Sequence, residues 1–551
     1  MTDIEAFANV EIRIVPAKGL PDTNSIKAGA AMLSATSFAG AAHMIADTTP
    51  VIVGVGQYSE RVGQPGYEAL SYMDLGGRAI AAAIANTKAS RPLATEIDTL
   101  VAIRAFEMSR PGAVRPFGGP DNVPGAMAKR IGASPAHLIL SPVGGQTNQQ
   151  MIGEFARKIA AGESKCVVIA GSEVISTVLD LAKKGEAPDW SEEVGGEFED
   201  RGLGAEGLAE PVLNAHGAVG AIPLYALCEN ARRARLGLNL DAYRLEIGRL
   251  FAPFTKVAAN NPHAAAPTNR SAQELASVTE RNRIVAEPYT RMTIARDQVN
   301  QAAAIILCSA GKARELGVPE EKWVHIHAVT HATELGIMER PDLSANPAST
   351  GSIAAALERV SKSISDMRYI DFYSCFAIPV FGQLDHFGLR AEDLPMLTLT
   401  GGLPFFGGAG NNYSAHAICE AVERLRADRG SFALVGANGG WMSKYSTGVY
   451  STEPADWSGV DRFAKLPLAT DAVACSQAPF DSATVETYTI NHGRKGSQTI
   501  WIGRNAKGER VAGNADMADA QTKAMFEAGE PFGVQLSVTQ GDGQNIGRAA
   551  S

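Results

Sequence analysis

No two cysteines in this chain have the CxxC spacing. The six thiols, Cys166, Cys228, Cys308, Cys375, Cys419 and Cys475, are scattered over 551 residues, which offers neither a zinc site nor a disulfide framework and reads as free thiols of a reducing compartment. Positive charge is short as well. Lys and Arg number 50 against 59 Asp and Glu, a net charge of −9, so no whole-protein basic field recruits nucleic acid. Long apolar runs are also missing. The nearest approach, residues 28–46, is mostly Ala and Gly interrupted by Ser34, Thr36, Ser37 and His43, too weakly apolar to span a bilayer and without the basic start of a secretory signal. Residues 1–47 read as a flexible N-terminal extension, with Met44 as an alternative start. The expectation is a cytoplasmic enzyme on a small molecule, with no membrane or nucleic-acid partner.

What is present is a core. Hydrophobic residues make up 45% of the chain and charged residues 20%, a globular balance, and the length allows three or four domains or one large core with insertions. The run Val51 to Gly56 is continuously apolar, as in a strand covered on both faces. A helix is predicted over 69–86, and strands over 99–103, 137–140 and 166–170. Strands alternating with helices predict βαβ units and a mainly parallel sheet.

An internal echo organises the chain. Residues 138–171 run strand, Gly144-Gly145, helix from Thr147, polar turn, strand, Gly171; residues 396–439 repeat this with Gly401-Gly402, a helix from Asn411, and a strand ending at Gly436. The predicted divisions are a first half (48–175 with 289–320), an inserted segment (176–288), a second half (321–451), a linker (452–483) and an additional β domain (484–551).

Three signals are discounted. Gly54-Val-Gly56 lacks the third glycine of a dinucleotide fingerprint, since Ser59 stands there. His325, His327 and His331 lack the spacing of a metal site, and none is expected. Arg232, Arg233 and Arg235 read first as a solvated helix face and second as an anion contact.

Several segments together resemble the thiolase superfamily, in its sterol-carrier-protein-type and thiolase-like type 1 branch. They are Val53-Gly-Val-Gly56, Ala170-Gly-Ser-Glu173, Asn261-Pro-His-Ala264, Ala302 to Ile306, Tyr373-Ser-Cys-Phe376 and Gly401-Gly402. The resemblance implies an α/β fold of duplicated βαβαβαββ halves in αβαβα layers, with an inserted loop domain and a small C-terminal β domain. It implies two buried central helices, from Thr147 and Asn411. It implies a CoA thioester as substrate, coenzyme A as substrate or product, no tightly bound cofactor, and an insertion that helps hold the CoA. A homodimer is the family expectation, with a monomer open because of the extra domain.

The same resemblance shows where the chain departs. Thr147 stands where a thiolase has its nucleophilic cysteine, Tyr373 where it has the histidine that polarises the carbonyl, Gly408 at the GHP-like histidine and Ala437 at the CxG-like cysteine, while Cys375 is kept. Cys375 reads as an acid or base or as a buried apolar residue, Tyr373 as a donor to a carbonyl or as packing. His416 reads as a substitute for a lost histidine or as an interior one. Gly407, Gly408, Asn411, Asn412, Asn261, His263 and Gly439 are the candidate substrate and CoA contacts, the glycine run having close packing as its other reading. Three functions follow: an acyltransferase on acyl-CoA or 3-oxoacyl-CoA, a retro-aldolase on 3-hydroxyacyl-CoA, and a non-catalytic acyl-CoA-binding protein.

Overall fold

The computed structural model describes residues 45–204, 210–393, 396–476, 478–493, 496–541 and 543–550. The extension expected at 1–47 therefore lies, through residue 44, outside the described residues.

The first half contains β1 (Pro50–Ser59), α1 (Tyr72–Asn86), β2 (Thr99–Ala102), α2 (Val123–Arg130), β3 (His137–Leu140), α3 (Thr147–Ala160) and β4 (Cys166–Glu173). The insertion contributes α4 (Ile175–Lys184), β5 (Glu199–Asp200), α5 (Pro211–Ala215), α6 (Ala221–Leu236), α7 (Leu240–Asn260), α8 (Ala272–Ala276), β6 (Ile284–Ala286) and β7 (Tyr289–Thr290). The chain then returns through β8 (Gln301–Ser309) and α9 (Ala310–Glu315). The second half contains β9 (Val324–Thr333), α10 (Pro347–Arg359), β10 (Tyr369–Asp371), α11 (Ala377–Phe387), α12 (Tyr413–Ala427), β11 (Phe432–Gly439) and β12 (Lys444–Ser451). Last come β13 (Phe463–Lys465), β14 (Ser482–Gly493), β15 (Gly496–Arg504), β16 (Arg510–Ala515), α13 (Ala520–Ala528), β17 (Gln535–Gly541) and β18 (Gln544–Ala549).

The echo in the sequence is an echo in the sheet. The first half runs β3-β2-β4-β8-β1, parallel as far as β4 and antiparallel from there. The second runs β10-β11-β12-β9 with the same change of direction after β11. The two halves join where Val51 and Ile52 of β1 pair with His325 and Val324 of β9. The expected strand ending at Gly401-Gly402 does not form. The Asp371 carboxylate accepts the N–H groups of Leu399 (2.7 Å) and Thr400 (3.4 Å) and the Thr398 hydroxyl (3.1 Å), and so competes for groups a ladder would need. Phe372 N still donates to Leu397 O at 3.0 Å, so the segment occupies the place beside β10 that β3 holds beside β2.

Three apolar cores stack the molecule into five layers. α1, α2 and α9 cover one face of the first half through Leu75, Ala79, Met127 and Ala313. Its other face, with Ile52, Val101, Ile169 and Ile305, and the inner face of the second half, with Ile326, Val329, Ala433 and Val435, enclose α3 and α12. α10 and α11 cover the outer face of the second half. Close approach explains Gly54 and Gly56: a methyl group at Gly56 would stand 2.3 Å from Ala79 O of α1 and one at Gly54 2.5 Å from Ala83 O.

The tail shares a sheet with the insertion. β14 pairs with β6 at Asn491↔Ala286, giving the order β15-β16-β18-β17-β14-β6-β7. The segment read as a linker is strapped to the second half, because β13 pairs with β9 and the Trp457 indole donates to Ile326 O at 3.1 Å. Of the Arg232 cluster, Arg235 is exposed, but Arg232 and Arg233 are buried and bonded within the protein. Arg232 grips Asp385 of α11 with two bonds of 2.7 and 2.8 Å, and fully buried Arg233 donates to Asn230 Oδ1 (2.8 Å) and to Gly529 O of the tail (2.6 Å).

Candidate functional site

The heads of the two central helices meet and are pinned by reciprocal bonds. Asn148 Nδ2 donates to Asn411 O at 3.0 Å, Ser414 Oγ to Gly145 O at 2.7 Å, and Gly144 N to Asn411 Oδ1 at 2.9 Å. Beside the head of α3 lie the loop between β10 and α11 and the end of β11. A methyl group at Gly145 would stand 2.6 Å from the Tyr373 hydroxyl and 2.4 Å from Asn438 O; one at Gly439 would stand 2.1 Å from Gln146 Oε1. Glycine at these two positions lets three segments converge. Asn438 Nδ2 lies 3.0 Å from the Tyr225 hydroxyl and 3.9 Å from Cys375 Sγ. Tyr225, from α6 of the insertion, stacks on Phe376 at 4.4 Å and closes the loop from outside.

The structure thus brings together Thr147, Tyr373, Cys375 and Gly439. Asn411 also reaches this helix head, through Gly144 N and Asn148 Nδ2, while the other candidates bond elsewhere. His416 is bound through Nδ1 to Gln57 Oε1 at 2.7 Å, and its ring neighbours Phe406, which neighbours Tyr413, which neighbours Tyr373. It belongs to a second polar group: Gln57 Nε2 and Asn261 Nδ2 both donate to Glu420 Oε1 at 3.1 Å, His263 N donates to Asn261 Oδ1, and His263 Nδ1 meets Ser59 Oγ at 3.1 Å. Asn411 Nδ2 donates to Arg104 O and Asn412 Nδ2 to Gly171 O, so both amides tie α12 to the first half. Gly407 is packed against Val299 and Gln301, and Gly408 N donates to Arg296 O at 2.7 Å.

Tyr225 and Gln146 were missed by sequence reasoning. Tyr225 sits in a helix without a motif, and only the fold turns it toward Cys375. Asn438 lay inside a segment already singled out, next to Gly439.

Four buried polar atoms at this junction, Gln146 Oε1, Thr147 Oγ1, Ser374 Oγ and Asn438 Oδ1, have no hydrogen-bond partner among the described residues. Buried orphans of this kind are costly unless a ligand or water satisfies them. Burial pushes the Cys375 thiol up to about 12, with the Tyr225 hydroxyl pulling the other way. Burial also pushes the Tyr373 phenol up, with Cys375 adding to the rise. At neutral pH both are protonated, hence proton donors and not nucleophiles. Burial, then the charge of His263, holds the His416 imidazole down at about 3.

His327 Nε2 meets Glu453 O at 2.9 Å and His331 Nδ1 meets Ser446 Oγ at 3.1 Å. No group of three or more potential ligands gathers among the described residues. No helix among them is long and apolar enough to cross a membrane.

Other buried acids set a pH dependence. Burial raises Glu173 to about 8, aided by Glu107, and raises Glu107 itself and Glu229 each to about 7. An unfolded glutamate titrates near about 4.3, so between there and about 8 the folded chain holds more protons than the unfolded one. Their contribution to stability is complete below about 4.3 and is lost as pH rises through 7 to 8. His325, His327 and His331, held down at about 4 by burial, act with the opposite sign below about 6.5. The melting temperature is therefore expected to fall from about pH 6 to about pH 9, and Glu173→Gln to flatten that fall. A profile level over this range in the parent protein overturns the assignment.

Duplicated halves around paired central helices, with the loop between β10 and α11 facing the head of the first, define the fold as that of the thiolases. The solved structure of the dimeric peroxisomal thiolase of Saccharomyces cerevisiae superposes with a TM-score of 0.53 at 14% identity, covering 74% of this chain and 98% of that one. The Ltp2-ChsH2(DUF35) aldolase does so with 0.52 at 18% identity, over 74% and 98%. A monomeric SCP2-thiolase-like protein type 1 from Mycobacterium smegmatis is 40% identical with a TM-score of 0.77, covering 92% of this chain and 100% of that one. The chain belongs to the SCP2-thiolase-like proteins. No family model and no curated protein matches it.

Proposed function

We propose that the chain takes a coenzyme A thioester at the head of α3 and makes or breaks the carbon–carbon bond beside its carbonyl through an enolate, without a covalent acyl-enzyme. Cys375 delivers the proton to carbon and is reprotonated from solvent, and Tyr373 donates a hydrogen bond to the enolate oxygen; the other fragment leaves as a carbonyl compound with its hydroxyl proton passing to water when the substrate is a 3-hydroxyacyl-CoA, or as a thioester on a free coenzyme A thiol when it is a 3-oxoacyl-CoA. The carrying observation is the convergence of these two protonated donors with the orphaned polar atoms of Gln146, Thr147 and Asn438. The partial positive charge of the α3 N-terminus favours an oxyanion at the same place. Thr147 Oγ1 has no base bonded to it among the described residues, which weighs against acyl transfer through that hydroxyl. Gly439 acts as the point of close approach. Asn261, His263, Asn411 and the Asn412 amide nitrogen, which are bonded within the protein, position the walls.

A binding role without turnover is the second reading, favoured by the closure of Tyr225 over Phe376. Incubation with 3-oxoacyl-CoA and 3-hydroxyacyl-CoA, followed by product analysis and intact mass, separates the cases. Cleavage with no mass adduct is expected, and the substrate cleaved tells a Claisen-type from an aldol-type reaction. An acyl adduct sinks the non-covalent reading; CoA thioester binding with neither cleavage nor adduct establishes the second.

A single copy is proposed as the working form. β5 is short and pairs along the outer edge of β3, so that edge of the sheet ends in a two-residue strand. Light scattering in solution reads this directly, and a dimer refutes it.

A further inference from the structure

We propose that Cys166 and Cys308 form an oxidisable dithiol, a site that closes to a disulfide across β4 and β8. The two residues are direct partners in the antiparallel register, and their sulfurs lie 3.5 Å apart. Their pairing is of the close kind. Ser309 N donates to Lys165 O at 2.9 Å, which brackets the pair, while Cys166 gives its own N–H to the Asp98 carboxylate at 2.9 Å and accepts at its carbonyl from Asp98 N. No ladder bond therefore runs between the two cysteines, and a non-hydrogen-bonded pair has its Cα atoms about 4.5 Å apart. That lies within the roughly 4.4–6.8 Å that a disulfide spans, so the bond forms by side-chain movement alone. The other four cysteines show no thiol at bonding distance among the described residues.

The pair lies at the end of the sheet. Cys166 is the first residue of β4 and Cys308 the last but one of β8. Both are fully buried, but Lys165 beside them is exposed, so a small oxidant needs only local opening of the strand end. The neighbouring thiol and burial keep Cys166 protonated, so this thiol reacts slowly between such openings. In the step itself two S–H bonds break and one S–S bond forms. An oxidant of the diazene or hydroperoxide class takes up the two electrons and two protons.

The consequence follows from the topology. The covalent loop runs from residue 166 to residue 308 and encloses the whole insertion, stapling together the strand it leaves from and the strand it returns to. A cross-link that closes so long a loop restricts the unfolded chain strongly. This inference does not depend on the proposed function.

The test is to treat the full chain with diamide in a sub-denaturing concentration of urea, then map peptides without reduction. Expected are a mass lower by two hydrogen atoms, a Cys166–Cys308 linked peptide, and a melting temperature higher by about 5 °C that reductant reverses. Cys308→Ala should lose all three effects while keeping its far-ultraviolet circular dichroism. Full alkylation of all six thiols after oxidation, or linkage only through other cysteines, overturns the proposal.

Discussion

Removal of residues 484–551 is expected to unfold the protein or drive it to aggregate, and not to leave a free-standing α/β core. The cut would open a face that the rest of the chain treats as interior. Ile500, Ile502 and Ala512 of the tail share one core with Leu224, Leu227 and Tyr225 of α6 and with Phe376 of the loop between β10 and α11. Polar groups are spent across the same boundary. Buried Asn230 donates to Tyr488 O at 2.9 Å, Thr487 Oγ1 to Leu227 O at 2.5 Å, and Arg510, 1% exposed, to Met338 O and Arg340 O. Each buried partner left unpaired costs about 1–3 kcal/mol, and more where it is charged, as Arg233 would be without Gly529 O. Several such losses, with the apolar exposure, match the whole stability of about 5–15 kcal/mol of an ordinary domain. Circular dichroism and size exclusion of a chain ending at residue 483 check this. A monodisperse product with a sharp melt would show that the boundary read from the sequence is a true domain seam.

That boundary shows what a linear pattern can and cannot carry. Apolar continuity located β1, and the strand, Gly-Gly, helix layout placed the start of α3 near Thr147, because both signals are local. The duplication was legible because each copy repeats strand, glycines, helix and strand within some forty residues. The expected strand at 396–400 fails through one side chain: Asp371 captures amides nearly thirty residues away, and nothing in the sequence marks that capture. β6 joins the tail sheet through a three-residue strand, too short for any alternation to announce it. The site divides in the same way. Thr147, Tyr373, Cys375 and Gly439 stood in motifs and meet in space. His416 did not join them, because helical spacing gives a face and not the neighbour that face will find. In a helix whose first two turns are buried on all sides that neighbour proved to be Gln57.

Cys375→Ala and Tyr373→Phe are each expected to lower kcat by about 10²-fold or more on whichever CoA thioester is turned over, with CoA affinity nearly unchanged. The size follows from role. A thiol at about 12 holds its proton at working pH and can release it only to a stronger base, such as the carbon of an enolate, so alanine removes the transfer itself. Phenylalanine keeps the Tyr373 ring against Tyr413 and removes the hydroxyl that points at the head of α3, so it tests the hydrogen bond with little loss of packing. Thr147→Ala should cost much less, because Thr147 Oγ1 donates to and accepts from no described group and has no base to activate it. The order of the three variants is the discriminating quantity. A covalent threonine mechanism makes Thr147→Ala the most damaging and leaves an acyl adduct on the parent protein. A general fold defect lowers the melting temperature of all three together with their activity, so melts are recorded beside the kinetics. A Cys375→Ala, Tyr373→Phe double variant with parental kcat would remove the loop from the reaction and return the chemistry to the second polar group around His416 and His263.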